Sequence, residues 1–368
     1  MGRTLAFLVA SMLVVAACGG AAQAPTPTTA GTAAPTAAAT AAPTQDPTKA
    51  IADFYRGKTI RVIVGLEAGG GFDTTARVLA RHMGKYIPGE PTVIVENMVG
   101  AGSRVAANFL YEAAPKDGTA FGVFNELQVL QQALGQADIK FDAKQFGWLG
   151  SVFSATIVCI ARKDSGITKI QDVIGATGKQ FIVGSTGPGS NTGDFPQTLR
   201  TALGANIKIV GGYNGTAGIS RAVDSNEVQG GCWTWESMSV TQGKNLQDGT
   251  MIPLVQQGDE KVKELGTTPV AADLATGDVN KRLILAITTP TAISKSFTAP
   301  PGGPAERLMA LQDAFTKAWN DKDLLEEAKK AKIDVAPKKA EDTKKVVDQL
   351  LSFDKVTIDA LKEALAKK

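Results

Sequence analysis

Hydrophobic positions divide this chain into three regimes. Residues Leu5 to Val15 are apolar except for Ser11 and follow a single charge, Arg3. Residues 21–47 are almost wholly Ala, Thr and Pro, with no apolar period from which a core could form. From about Ile51 onward, β-branched runs alternate with helical stripes. The run 59–64, Thr-Ile-Arg-Val-Ile-Val, predicts a buried parallel strand. Three glycines follow at 69–71, then a helix over 74–86 with Val78, Leu79 and Met83 on one side. Asp73 stands where that helix's N-cap is expected. A strand over 92–96, a helix through Ala106, Phe109 and Leu110, a turn at Asp117-Gly118 and a short strand at 121–124 come next. A second set reads as strand 180–183, helix near 195–203, strand 207–210, helix near 219–224 and strand near 227–233. This alternation predicts an α/β fold with helices on both sheet faces.

Two further apolar runs, 154–161 and 282–288, read as crossover strands between two lobes. The second lobe (158–283) is then inserted into the first (51–157 and 284–368), with a cleft between them. The stretch 304–331 is amphipathic, with Leu308, Leu311, Phe315 and Trp319 on one face, and a lysine-rich helix over 343–365 closes the chain. The N-terminal apolar core is too short for a membrane span and reads as a signal peptide over 1–17. Its end, Val-Val-Ala-Ala-Cys, resembles the bacterial lipobox. That resemblance implies cleavage before Cys18 and acylation of its sulfur, each buried CH₂ contributing roughly 0.8 kcal/mol of membrane affinity. Residues 18–50 would then be the lipidated cysteine and a disordered Ala/Thr/Pro tether.

Composition narrows the function. A chain of 368 residues has room for two domains, and 43% hydrophobic with 20% charged residues is ordinary for a globular protein. A net charge of +3 is too weak to argue for nucleic acid, and no zinc spacing or aromatic-basic motif appears. The single histidine, His82, lies in a helical stretch. There is no Gly-x-Ser-x-Gly elbow, no Walker loop, and no dinucleotide fingerprint, since Gly193 follows Gly187 and Gly189 one residue too late. No catalytic residue, metal or cofactor is expected. Cys159 and Cys232 form an even pair in an exported chain, which permits a disulfide; two buried thiols fit the apolar runs equally well.

What remains is binding. A strand, a glycine turn and a helix start form a backbone cradle, because glycine admits close approach and first-turn N–H groups favour an anion. The design recurs at 184–192, Gly-Ser-Thr-Gly-Pro-Gly-Ser-Asn-Thr, and at 211–216, Gly-Gly-Tyr-Asn-Gly-Thr. Singly, such glycines need only close a tight turn; three together suggest loops meeting on one ligand at the carboxyl ends of a sheet.

These residues resemble the extracytoplasmic receptors of tripartite tricarboxylate transporters, the TctC or Bug family. The resemblance rests on the strand, glycine turn and Asp of 60–77, on Val-Glu-Asn-Met-Val-Gly-Ala-Gly-Ser at 95–103, and on Ala-Ala-Pro-Lys-Asp-Gly-Thr at 113–119. It implies a two-lobed periplasmic-binding fold that closes on a small organic carboxylate, held largely by backbone N–H groups and hydroxyls. Carried over residue by residue, the expected ligand contacts are Glu67, Gly69, Gly70, Gly71, Asp73 and Thr74 in the first turn and Ala101 in the second motif. Ser185, Thr186, Ser190, Asn191 and Thr192 follow in the Gly-Ser loop and Tyr213, Asn214, Gly215 and Thr216 in the third turn; Trp233 is expected beside them from this chain's own departures. Glu67 replaces the family's usual Pro and Asn214 its usual Lys, while Trp233, Trp235 and Glu236 gather near a predicted strand end. These departures make the site less cationic and fit an amino-bearing or aromatic carboxylate, although the tryptophans equally fit a core. The resemblance implies a monomeric receptor, lipid-anchored outside the cytoplasmic membrane, that serves one large and one small permease subunit. A sensor signalling to a membrane kinase and an exported enzyme are the other readings.

Overall fold

The computed structural model describes residues 47–366. The expected signal peptide, Cys18 and most of the tether lie outside them. The described chain opens with helix α1 (Pro47–Tyr55), which starts four residues before Ile51. The first lobe then runs β1 (Thr59–Val64), α2 (Gly71–Met83), β2 (Thr92–Asn97), α3 (Arg104–Glu112), β3 (Ala120–Val123), α4 (Leu127–Ala133) and β4 (Gly147–Ser151). The second lobe holds β5 (Ile157–Arg162), β6 (Phe181–Gly184), α5 (Asn191–Leu203), β7 (Ile207–Val210), α6 (Thr216–Asp224) and β8 (Gly230–Thr234). It continues through α7 (Trp235–Thr241), α8 (Gly243–Gln247), β9 (Met251–Gln257), α9 (Ala271–Leu274) and α10 (Asp278–Thr288). The chain returns through β10 (Phe297–Ala299), α11 (Ala305–Ala318), α12 (Lys322–Lys330), β11 (Lys338–Lys339) and α13 (Ala340–Leu351), and ends in α14 (Lys355–Ala366).

Two sheets result, of strand order β11-β4-β10-β3-β1-β2 and β7-β6-β8-β5-β9. Strands β1, β2 and β3 are parallel to one another, and β6 is parallel to β7 and β8. The strand that follows each crossing runs the other way. β5 lies antiparallel between β8 and β9, and β10 antiparallel between β3 and β4. Each sheet is covered on both faces, and alternation within a strand divides its side chains between two cores. In β1, Ile60, Val62 and Val64 pack toward α2 and α11, while Ile63 packs on the other face with Ala106 and Leu110 of α3. In β5, Cys159 and Ala161 face one core and Val158 and Ile160 the other.

Both described cysteines are paired. Cys159 of β5 and Cys232 of β8 stand at the same register position and form a disulfide with Cα atoms 4.0 Å apart. Closing a loop across a 73-residue separation stabilises the fold by roughly 2–4 kcal/mol, and such bonds persist in oxidising compartments.

The crossings differ from the expected strands. The first connection spans 152–156, between β4 and β5, and the second 289–296, between α10 and β10. They run side by side: Val152 N–H donates to Ser294 O (3.2 Å) and Ala155 N–H to Thr291 O (2.9 Å). The run 282–288, expected as a crossover strand, is the C-terminal part of helix α10, which buries Leu283, Ile284, Ala286 and Ile287 against the second lobe. The expected helix 343–365 is two helices, α13 and α14, broken at 352–354. α13 packs on β4, whereas α14 packs on α5 and α10 of the second lobe. The amphipathic stretch 304–331 likewise divides into α11 and α12, and Asp321 caps α12 by accepting from Leu324 N–H. Short helix α4 joins the lobes, because Leu127, Leu130 and Leu134 pack into the second lobe's core while Val129 packs into the first's.

Candidate functional site

The carboxyl ends of β1 and β3 face those of β6, β7 and β8, and the glycine turns at these ends touch. A Cβ placed on Gly70 would lie 2.9 Å from Thr216 Oγ1, and one on Gly71 would lie 2.9 Å from Ser237 Cα. One on Gly102 would lie 2.9 Å from Pro188 O. Gly69 carries φ +83°, which an L side chain adopts only with strain and which turns β1 into α2. The second motif is more unusual. Ala101, Gly102 and Ser103 all have left-handed φ values of 47°, 63° and 79°, a conformation that costs a non-glycine residue about 1–3 kcal/mol and clusters at ligand sites. Ser103 Oγ accepts from Asn125 N–H at 2.8 Å, which ties this turn to the end of β3.

Helices α2, α5 and α6 begin at the cleft, with N-caps Gly70, Ser190 and Gly215. Asp73 is therefore not the cap but the third helical residue. Its carboxylate accepts from Gly69 N–H (3.0 Å), pairs with Arg77 (2.9 Å) and takes Asn97 Nδ2 at 3.0 Å. Burial opposes ionisation there, but Arg77, Gly69 N–H and Asn97 together hold its carboxyl below the usual value. Glu67 is committed as well. It crosses the cleft to the start of α6, where its carboxylate accepts from Gly218 N–H and lies 3.2 Å from Arg221. Glu67 N–H donates to Asn214 O at 3.0 Å. A carboxylate at a helix N-terminus is stabilised by the helix dipole, so this chain fills one anion seat with its own side chain.

The Gly-Ser loop is also internally satisfied in part. Thr186 N–H donates to Thr192 Oγ1 (2.9 Å), Gly187 N–H to Ser185 Oγ (3.0 Å) and Gly189 N–H to Asp194 (3.0 Å). Ser190 Oγ bonds Gly187 O at 2.6 Å. Ser185, Thr186, Ser190, Asn191, Thr192 and Thr216 are buried, whereas Ala101 and Asn214 are exposed and Thr74 is half-buried. Thr74 turns its hydroxyl onto Gly70 O. Two expected contacts point elsewhere. Tyr213 donates its hydroxyl to Glu227 at 2.6 Å, and Trp233 is buried among Val158, Ile160, Ile219 and Met238. Neither reaches the groups that meet across the cleft, although the Trp233 indole N–H has no protein partner.

The structure adds residues outside the glycine motifs. Gln128 of α4 donates to Gly102 O (3.0 Å) and Gly189 O (2.9 Å), one from each lobe. Gln131 donates to Asp194 at 2.7 Å, and Asn191 Nδ2 to Glu126 at 3.2 Å. Lys295, on the return crossing, is fully buried. Its Nζ sits 2.6 Å from Glu236 and 3.9 Å above the Phe72 ring. Burial pushes the Glu126 carboxyl above its usual value. Burial likewise raises Asp194 to about 7, against the pull of Gly189 N–H, Arg104 and Gln131.

That last shift predicts a pH dependence. Asp194 titrates near 3.8 when unfolded and near 7 when folded. Its contribution to stability is full below the lower value, declines as pH rises through the window, and is lost above the upper one. The melting temperature is expected to fall as pH rises from about 4 to about 7, and Asp194→Asn to flatten much of that fall. Buried Glu126 leaves a residual slope. An unchanged profile in the variant refutes the assignment.

The chain matches the model of the tripartite tricarboxylate transporter family receptor over residues 75–362. It belongs to that receptor family. Among relatives, the UPF0065 protein in the gbd 5′ region of Cupriavidus necator is 26% identical over 299 residues, 79% of this chain and 83% of that one. Of solved structures, the periplasmic binding protein BugD superposes with a TM-score of 0.67 at 19% identity, covering 84% of this chain and 98% of that chain. MatC from Rhodopseudomonas palustris, solved with bound malate, gives 0.64 at 19% identity, covering 84% and 99%. A second R. palustris protein, solved with adipate, gives 0.66 at 16% identity, covering 84% and 97%. The receptor's two-lobed architecture is thus that of periplasmic binding proteins. No helix among its described residues is long and apolar enough to cross a membrane.

Proposed function

We propose that this receptor binds a small organic carboxylate between its lobes, outside the cytoplasmic membrane, and delivers it as a monomer to the large and small membrane subunits of a tripartite permease. The observation that carries this reading is the meeting of three glycine- and hydroxyl-rich turns, two of them from different lobes, at the starts of α2, α5 and α6. By helix geometry the N–H groups of Gly71, Phe72 and Asp73 have no acceptor within α2, and such groups suit an anion. The carboxylates bound by structurally similar proteins support the class, and the Cys159–Cys232 disulfide fits an exported protein. The lipobox-like end at Cys18 supports acyl anchoring, which Cys18→Ser is expected to abolish without changing affinity.

A thermal-shift screen over C4 to C6 dicarboxylates and their amino-bearing counterparts tests the reading. A ligand at about 100 times its Kd stabilises by roughly 2.7 kcal/mol. At least one compound is expected to raise the melting temperature, and the complex is expected to co-purify with two membrane subunits. A panel without any shift overturns the carboxylate assignment.

A further inference from the structure

Two glycines at the start of α6 are not required by their own backbones. Gly218 lies inside the helix, where alanine is the better residue. Gly215, the N-cap, has φ 175°, an extended value open to any residue. Both instead leave room for one side chain from the other lobe. A Cβ on Gly215 would lie 2.7 Å from Glu67 Cγ, and one on Gly218 would lie 2.8 Å from Glu67 Oε1. In each case the three nearest atoms all belong to Glu67.

Glu67 stands in the turn between β1 and α2 of the first lobe, and α6 belongs to the second. Its carboxylate accepts from Gly218 N–H and lies 3.2 Å from Arg221 Nη2, and its own N–H donates to Asn214 O at 3.0 Å. The Glu67 side chain is 18% exposed and that of Arg221 69%. An ion pair to so exposed an arginine contributes little. The weight falls on Gly218 N–H, which has no acceptor within the first turn of α6 and favours an anion. Because the two ends lie in different lobes, these bonds exist only while the lobes are together. A contact made only in the closed state raises the share of that state, and with it the affinity for whatever binds there.

We infer that Glu67 is a closing latch. The first lobe's own carboxylate, rather than one from the ligand, seats on the N-terminus of α6 and holds the lobes together. Glu67 is then a positioning residue and not a ligand contact. The latch goes beyond the carboxylate reading, since every group in it belongs to the receptor; only the affinity part of its test rests on that reading.

Calorimetry with succinate, glutarate and adipate on the full receptor and three variants tests this. Glu67→Ala is expected to weaken the tightest-binding of the three by about tenfold and to leave the ligand-free melting temperature unchanged. Gly218→Ala is expected to weaken it similarly, by displacing the Glu67 carboxylate, while raising that melting temperature. A residue that merely supports α6 would lose stability and affinity together. In the double variant the second substitution is expected to cost no further affinity, since the one contact is already gone. Additive losses, or wild-type or tighter binding in Glu67→Ala, overturn the latch. Hydrogen exchange of the Gly218 amide decides without any ligand: slower exchange in wild type than in Glu67→Ala supports the latch, and equal exchange overturns it. Failure of all three compounds to bind wild type counts against the carboxylate reading, and the exchange result alone then decides the latch.

Discussion

Replacing Lys295 by methionine is expected to destabilise the receptor by about 3–5 kcal/mol, the range found when one partner of a buried ion pair is removed. Lys295 has no exposed surface, and its partner Glu236 is almost as deeply buried. The substitution leaves the Glu236 carboxylate with only the hydroxyls of Thr234 and Ser237. It also removes an ammonium stacked 3.9 Å over the Phe72 ring, about 2 kcal/mol when such a contact is desolvated. Methionine keeps the length of the side chain. It also keeps the backbone strain, since Lys295 has φ 56° and any L residue there carries the same penalty. The loss therefore reads the charge. The double variant Lys295→Met, Glu236→Gln is expected to regain much of it, because removing both charges leaves no ion uncompensated. Urea titration of the two single variants and the double variant measures the coupling. Additive losses would show that the pair does not hold the crossing to α7.

The sequence reveals the cradle and hides the floor beneath it for one physical reason. Strand β1, its glycine turn and α2 are local: a β-branched run, a forced positive φ at Gly69 and an amphipathic stripe lie within 25 residues, 59–83. Lys295 is not local. In Ile-Ser-Lys-Ser-Phe it reads as a solvated side chain, and only pairing with a residue 59 positions earlier buries it. Glu126 and Gln128 are hidden similarly, since they follow β3 without any glycine signal. The end of helix α10 reads as a strand because Arg-Leu-Ile-Leu-Ala-Ile-Thr is apolar without an evident period. Packing resolves it, with Leu285 46% exposed while Leu283, Ile284 and Ile287 face α5 and α14. Trp233 is hidden by its strand, both faces of which are buried. In β8 the side chains alternate, so Cys232 joins the disulfide core and Trp233 the opposite core.

Gly71→Ala is expected to weaken ligand binding by at least 100-fold, about 2.7 kcal/mol, while the protein stays folded. Gly71 is the first residue of α2, and its φ lies outside the left-handed region, so alanine is compatible with the first lobe alone. Alanine is in fact the better helix former by up to about 1 kcal/mol. The conflict arises only across the cleft, where the new Cβ would lie 2.7 Å from Ser237 Cβ and 2.9 Å from Ser237 Cα. A backbone atom cannot turn aside as a side chain can. The lobes must stay apart, and a ligand that needs both then meets a receptor whose competent state is scarcely populated. Gly70→Ala is expected to be milder, because its nearest contact is Thr216 Oγ1 at 2.9 Å, on a side chain that can rotate. Ser237→Gly in the Gly71→Ala background removes the Cβ but not the Cα conflict, and only part of the affinity should return. Scattering adds an independent measure: at saturating ligand the wild-type radius of gyration should shrink and that of Gly71→Ala should not. Wild-type affinity in Gly71→Ala would mean that the ligand binds without bringing α2 against α7, and that the close approach of these helices plays no part in recognition.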